Sequence, residues 1–439
     1  MIDYNKLPLR HILCVDVKSF FASVEAARRG IDPLEAYMVV TSHVKRQGSV
    51  ILASSPKVKE EFQIKTGNRL FEVPKNDKIT IVEPSMALYL DIAIQIGHIF
   101  ESFAAPEDIL TYSIDEAFID VTATTHLFGN PWEMAEKIKK KVYDETGLYV
   151  TIGIGDNPLL AKLALDNEAK KTKEQIAYWG YEDIPKTLWK KIPKLTDMWG
   201  ISRGYEKKFN ALGIFSVYDL AHFPKEILER KFGILGLQHY YHANGVDYSR
   251  LSERVKTKNK GFSKSQVLFS DYESREDIAI IIQEMVEQLA IRLRKHHYLT
   301  SGISLYLGAA DHAPGLSLSK SLSHPTKHTG DLVRAFLSLF HSSWRGEAIR
   351  TVNVSCHGLK KDNYEQLDLL TTQEEERQGR LEEALDFIRD KYGKTAIHMA
   401  HSLENGSTFF ERTSQVGGHK DFSEVTDEVF SPTTILQEK

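Results

Sequence analysis

The chain has 439 residues, with 56 basic against 60 acidic side chains, a net charge of -4 and 42% hydrophobic residues. That length exceeds what one core sustains and predicts about three or four domains, while no apolar run nears the roughly 20 residues that span a bilayer. The start, MIDYNKLPLRHILCVDV, lacks the plan of a signal peptide, and two cysteines, Cys14 and Cys356, are too few for a disulfide framework or a cysteine metal site, so a cytoplasmic protein is expected.

In chain order, HILCVDV (11–17) reads as a buried strand ending near Asp16, and SFFASVEAARRG as a helix stopped by Gly30. GSVILASS (48–55) reads as a second strand, and Ser55-Pro56 opens a helix through PKVKEEFQIKTG. ILTYSI and AFIDVT are strand-like segments flanking Asp115 and Glu116, PWEMAEKIKKKVYDETG is an amphipathic helix, and LYVTIGIG another strand. This order predicts a ferredoxin-like domain with an insertion at 33–83. From about 181 to 249 short helices alternate with glycines, and the Gly200-Ile201-Ser202 turn, with Gly204 after it, suits a helix-hairpin-helix whose amides hold a DNA phosphate. A second α+β domain follows, and then a helix, QGRLEEALDFIRDKYG, and a polar tail expected to be disordered after about residue 420. Basic stretches at 186–194, 203–209 and 254–265, the last containing Lys258 and Lys260, predict a surface for a phosphate backbone despite the acidic total.

The segment SIDEAFID puts Asp115 and Glu116 side by side in an apolar setting. Neighbours on a strand face opposite ways, so both serve one centre only from a tight turn between antiparallel strands. In the ferredoxin-like order Asp16 would lie beside them. Three such carboxylates repel unless a cation neutralises them, and oxygen ligands favour Mg²⁺ over zinc. Two Mg²⁺ ions about 3.5 to 4 Å apart are the usual device for nucleotidyl transfer.

DVKSFFASVE, YSIDEAFID, GIGDNPLLAKLALDNEAKK and GISRGYEKKFNALGI, in this order, resemble the Y-family translesion DNA polymerases, most closely the UmuC-like branch of Gram-positive bacteria and their mobile elements. The resemblance implies a multidomain α+β right hand: a ferredoxin-like palm (1–32 and 84–180), small fingers (33–83), a helix-hairpin-helix thumb (181–250) and an α+β little finger (251–365). It makes Asp16, Asp115 and Glu116 the catalytic, metal-binding triad, with the carbonyl of Val17 a further ligand for two Mg²⁺ ions. Phe21 falls at the steric gate against a 2'-hydroxyl, with Phe20 in the same pocket, and Ser54 and Lys170 match contacts to the incoming dNTP, with Lys171 a rival. Lys18 stands where many relatives carry an acid, which points to the UmuC-like subgroup. Glu60 stands where a fingers cation often clamps the triphosphate, leaving Lys59 or Lys57 to replace it. Gln366-Leu367-Asp368-Leu369-Leu370, in 366–439, is similar to the peptide by which bacterial polymerases dock on the sliding clamp; Gln366, Leu367, Leu369 and Leu370 would make the contact. Primer-template DNA, dNTP and clamp are thus the expected partners, with no membrane. The competing readings are a non-catalytic DNA- or clamp-binding regulator on the same fold, and a nucleotide cyclase, which leaves the helical hairpin and clamp-like peptide without purpose.

Overall fold

A computed structural model describes residues 2–253, 260–311, 314–362, 373–416 and 419–420. It divides into two compact units, residues 1–254 with 420–439, and residues 255–419. Lys258 and the peptide at 366–370 lie outside the described residues.

The first unit begins with β1 (Ile12–Val17), buried apart from Asp16, and α1 (Phe20–Ala27). Between them Ser19 takes a left-handed conformation at φ 53°, a costly one for a residue with a side chain, which turns the chain sharply from strand to helix. The insertion follows as β2 (Met38–Thr41), β3 (Ile51–Ser54), α2 (Pro56–Phe62) and β4 (Thr80–Val82), a small sheet in the order β3-β2-β4 over a core of Val39, Ile51, Val58, Ile64 and Leu70.

The chain then forms α3 (Met86–Glu101), β5 (Ile109–Thr111), β6 (Glu116–Asp120), the short α4 (Thr125–Phe128), α5 (Pro131–Thr146), β7 (Val150–Gly155), α6 (Pro158–Asn167) and β8 (Ile176–Trp179). The sheet order is β5-β6-β1-β7-β8. Its first four strands pair antiparallel in the ferredoxin-like arrangement, and β8 adds a parallel edge beside β7. Sequence periodicity does not single out α3, because exposed Leu90 and Ile94 interrupt the pattern of its buried positions, Met86, Tyr89, Ile92, Ile96 and Ile99. α5 carries the local signals in full: Asn130 caps it, Pro131 starts it, and Gly147 ends it in the left-handed region.

Beyond residue 181 come α7 (Arg203–Asn210), α8 (Val217–His222), α9 (Lys225–Phe232) and α10 (Ile234–Ala243). The turn at Gly200 is not flanked by two α-helices as the sequence suggests. A single 3-10 turn, Leu195–Asp197, precedes it, since Pro193 bars a helix arriving through Ile192 and leaves only a few residues before Gly200.

The second unit is a four-stranded antiparallel sheet, β9 (Phe262–Tyr272), β10 (Tyr298–Ala309), β11 (Leu316–Thr326) and β12 (Ile349–Lys361), in the order β11-β10-β12-β9. Helices α11 (Arg275–Lys295) and α12 (Thr329–Ser343) share its core through Ile281, Met285, Leu289, Phe336 and Phe340. α13 (Gln373–Tyr392) and α14 (Phe409–Thr413) are held to α11 by ion pairs, Arg294 with Asp386 at 2.6 Å and Arg412 with Glu284 at 2.8 Å.

What fixes the later geometry is the contact of α6 on β7. At Gly153 and Gly155 the strand lies so near the helix that a side-chain methyl would overlap the Ala161 backbone. Gly153→Ala is therefore expected to destabilise the first unit by at least about 3 kcal/mol, and chemical denaturation of the purified variant measures the loss.

Candidate active site

The β1–β6 register pairs Asp16 with Glu116 and Cys14 with Phe118. Residues directly opposite each other share a face of the sheet, so these four side chains stand together under α6. Asp115 occupies the turn before β6. Its carbonyl accepts a hydrogen bond from the Val17 N–H at 2.9 Å, and its carboxylate accepts one from the Ser113 hydroxyl at 2.7 Å. The tight turn that lets two consecutive carboxylates serve one centre is thus present.

α6 covers this face and supplies cations. Lys162 Nζ donates to Glu116 Oε2 at 2.8 Å and lies 2.9 Å from Asp166 Oδ2, with the Lys162 and Glu116 side chains only 10% and 9% exposed. Cys14 Sγ donates to the other oxygen of Glu116 at 3.3 Å. Lys170 Nζ spans Asp16 at 3.3 Å and Asp166 at 3.0 Å. The result is a continuous alternation of charge: Glu116, Lys162, Asp166, Lys170, Asp16.

The titration behaviour follows from this packing. Burial raises the Asp16 carboxyl to about 6, against the pull of Lys170, and the nearby charges of Asp115 and Glu116 add to the rise. Burial lowers the Lys162 and Lys170 ammoniums, but their carboxylate neighbours more than reverse it and hold both above the usual lysine range. Burial raises the Cys14 thiol well above its ordinary value and Glu116 adds to the effect, so Cys14 is a neutral donor, not a nucleophile.

The other expected residues divide clearly. Lys59 Nζ donates to the Ser19 hydroxyl at 2.8 Å and feels Asp16 and Asp115; burial, with Lys170 and Lys18 adding, lowers its ammonium. Lys57 turns elsewhere and pairs with exposed Glu35 at 3.0 Å. Phe21 is half-buried and stacks on Tyr89, centroids 4.4 Å apart at 16°, while Phe20 is buried behind it. Tyr89 donates to buried Glu25 at 2.8 Å, which Arg28 and Arg29 neutralise. Ser54 is fully buried at the end of β3, and its hydroxyl has no partner among the described residues. Lys171 and the turn residues Gly200 and Ser202 line a cavity of about 700 Å³ that Asp166 also borders. Gly204 lies in the first turn of α7. In the second unit Lys260 Nζ donates to the Tyr298 hydroxyl at 3.2 Å.

Sequence reasoning missed Lys162, Asp166, Ser113 and Tyr89. A lysine within the apolar run PLLAKLAL was the available signal for Lys162, since a charge at a covered helix position requires a buried partner.

Among the described residues no three carboxylate, histidine or cysteine side chains converge into a ready ion site, because Lys162 and Lys170 already engage Glu116 and Asp16. The donor set is nevertheless entirely oxygen and mutually repulsive, which fits a hard divalent cation.

The chain matches the family model for the impB/mucB/samB family over residues 15–166, and that for the impB/mucB/samB family C-terminal domain over residues 259–369. It is 43% identical to UvrX of Bacillus subtilis (strain 168), a protein named for UV-damage repair, covering 96% of this chain and 100% of that one. It is 32% identical to DNA polymerase IV 2 of the same organism over 93% of this chain and 98% of the relative. A solved Y-family DNA polymerase chimera of Dbh and Dpo4 superposes with a TM-score of 0.65 at 20% identity, covering 80% of this chain and 99% of that one.

Removing one partner of the buried pair exposes its weight. Lys162→Met is expected to cost about 3 kcal/mol of unfolding free energy by leaving Glu116 buried and uncompensated. Adding Glu116→Gln to that variant should recover most of the loss in a double-mutant cycle followed by urea denaturation.

Proposed function

Since the chain belongs to the impB/mucB/samB family of Y-family DNA polymerases and is a DNA-directed DNA polymerase serving DNA repair or damage tolerance, we propose that it copies damaged templates with low fidelity through a two-metal nucleotidyl transfer at Asp16, Asp115 and Glu116. The observation that carries this reading is the opposition of Asp16 and Glu116 across β1 and β6, with Asp115 in the adjoining turn. Asp16, Asp115, Glu116 and the Val17 carbonyl would hold two Mg²⁺ ions, which when bound activate the primer 3'-hydroxyl and neutralise the triphosphate.

The protein's own groups do the rest. Lys170 pairs with Asp16, and Lys59, held by the Ser19 hydroxyl, feels the charges of Asp16 and Asp115; an incoming triphosphate offers both a stronger anionic partner, so Lys170 exchanges carboxylate for phosphate, Lys59 leaves the hydroxyl for it, and together they orient it. Lys170 is favoured over Lys171 by its contact with Asp16, and Lys59 over Lys57 by its direction. Phe21 acts as the steric gate, its ring braced flat against Tyr89; Phe20 supports it from the core. Ser54 reaches the nucleotide only if the insertion shifts, being fully buried here. The amides around Gly200, Ser202 and Gly204 hold a primer-strand phosphate, and Lys260, with Lys258, meets the DNA backbone. The Gln366–Leu370 peptide tethers the enzyme to the sliding clamp, raising local concentration where direct DNA contacts are weak.

Three outcomes test the proposal. Purified protein should extend a primer across from an abasic template site only with Mg²⁺. Asp115→Asn should lose at least about a thousandfold in rate, or about 4 kcal/mol of transition-state stabilisation, while DNA affinity by fluorescence anisotropy stays unchanged. Normal extension by that variant would overturn the assignment, and intact DNA and clamp binding without any extension by the wild type would favour the regulator instead. Phe21→Ala should raise ribonucleotide insertion relative to deoxyribonucleotide by at least about a hundredfold in competing single-nucleotide assays, because the excluded 2'-hydroxyl would meet open space; an unchanged preference removes Phe21 from the gate.

A further inference from the structure

The cavity bordered by Tyr112, Asp166, Lys171, Gly200 and Ser202 has the catalytic sheet on one side and the phosphate-holding turn on the other. The two sides are joined by aromatic contacts that neither the carboxylates nor the turn require for their own folding. Trp199, immediately before Gly200, stacks on Phe118 with centroids 5.8 Å apart at 29°, and packs on the cluster of Ile12, Cys14, Phe118, Ala161 and Leu165. Its indole Nε1–H donates to the Tyr112 hydroxyl at 3.3 Å, and the two rings meet edge to face at 5.8 Å. Tyr112 also meets Phe118 edge to face at 5.7 Å.

Each member sits one short step from a reacting or DNA-holding group. Phe118 is two residues from Glu116 on the same face of β6 and lies opposite Cys14, which donates to Glu116. Tyr112 begins the turn that carries Asp115, and its N–H donates to the Glu116 carbonyl at 2.9 Å. Trp199 is covalently the neighbour of the turn glycine, Gly200, whose φ of 90° is one that glycine adopts without strain, so what anchors this end of the turn is the Trp199 ring.

We infer that Tyr112 and Trp199, through Phe118, are positioning residues that set the distance between the primer-strand phosphate seat and the catalytic carboxylates, and so fix the register of the primer 3' end. Transfer requires the 3'-hydroxyl in a near-attack position, where an error of 1 Å costs about a hundredfold. An aromatic triad with two edge-to-face contacts and one hydrogen bond supplies rigidity at that scale, because ring pairs tolerate rotation poorly once three faces are committed. Both residues border the cavity; Tyr112 is 50% exposed, whereas Trp199 is partly buried and also packs on the core, so the test must separate positioning from stability.

The inference rests on the polymerase reading, and its test separates the two. Full-length wild type, Tyr112→Phe and Trp199→Phe are compared for thermal midpoint, DNA affinity, dNTP KM, kcat, and the frequency of one-nucleotide deletions on a template run of identical bases. Tyr112→Phe, which keeps the ring and loses the hydroxyl, should lower kcat about tenfold, the worth of one hydrogen bond, with KM, DNA affinity and midpoint held. Trp199→Phe should lower kcat further and raise deletions, while Trp199→Tyr, whose hydroxyl can again reach Tyr112, should regain part of kcat. Wild-type kcat and deletion frequency in both Phe variants would overturn the inference alone. So would losses of kcat that merely track lowered midpoints and DNA affinity. Failure of the wild type to extend any primer would overturn the polymerase reading and this inference with it.

Discussion

The first unit is arranged around one electrostatic constraint: a strand register sets Asp16 opposite Glu116, and the adjoining turn adds Asp115. At the effective dielectric of a protein surface, two like charges about 4 Å apart repel by about 4 kcal/mol, an appreciable part of a domain's net stability. The fold tolerates them by interleaving lysines. Lys162 neutralises Glu116 from the covered side, Lys170 approaches Asp16 from the more exposed side, and Asp166 links the two ammoniums. The arrangement is graded by burial. The Lys162 contact is nearly dry, whereas the Lys170 side chain is 38% exposed. Breaking the first leaves a buried charge; breaking the second only returns an ammonium to solvent or to an incoming anion. Structural and exchangeable roles are thereby divided between two lysines on the same helix face and its 3-10 extension.

That division explains why the site was partly legible in the sequence. Asp16, Asp115 and Glu116 sit at ends of short apolar strands, and strand order follows from local pattern, so their meeting could be anticipated. The lysines could not be assigned so directly. Lys162 lies in PLLAKLALDN, where period and composition indicate a covered helix but say nothing of which strand residue lies beneath. That depends on Gly153 and Gly155 letting the helix approach the sheet. Helix α3 was hidden for a related reason. Its buried stripe, from Met86 to Ile99, runs among exposed apolar residues, so the distinction between faces comes from the domain and not from the segment. The element before Gly200 failed differently: its composition suits a helix, and Pro193 with the packing of Trp199 limits it to one 3-10 turn.

The aromatic residues connect this charged centre to its surroundings by two routes. Phe21 and Tyr89 face the insertion side, with Tyr89 tied through its hydroxyl to Glu25, so the Phe21 ring has a second ring behind it and a buried carboxylate behind that. Tyr112, Trp199 and Phe118 lead to the helical region. In both cases a flat ring next to the catalytic strands is fixed by a polar tip, which gives orientation where dispersion alone would leave the ring free to slide.

Helix geometry sets which cation of the insertion points toward this centre. Successive residues on an α-helix are separated by about 100°, so 57 and 61 share a face while 59 lies on the far side. In α2 the shared face is occupied: Lys57 pairs with Glu35, and Glu61 accepts from the Tyr37 hydroxyl at 2.7 Å. Those contacts fix the rotation of the helix, and with it Lys59 is directed at Ser19, whose left-handed backbone presents its hydroxyl at the end of β1. Glu60, about 100° further on than Lys59, turns away from Ser19, so its carboxylate is not directed at the group that Lys59 contacts.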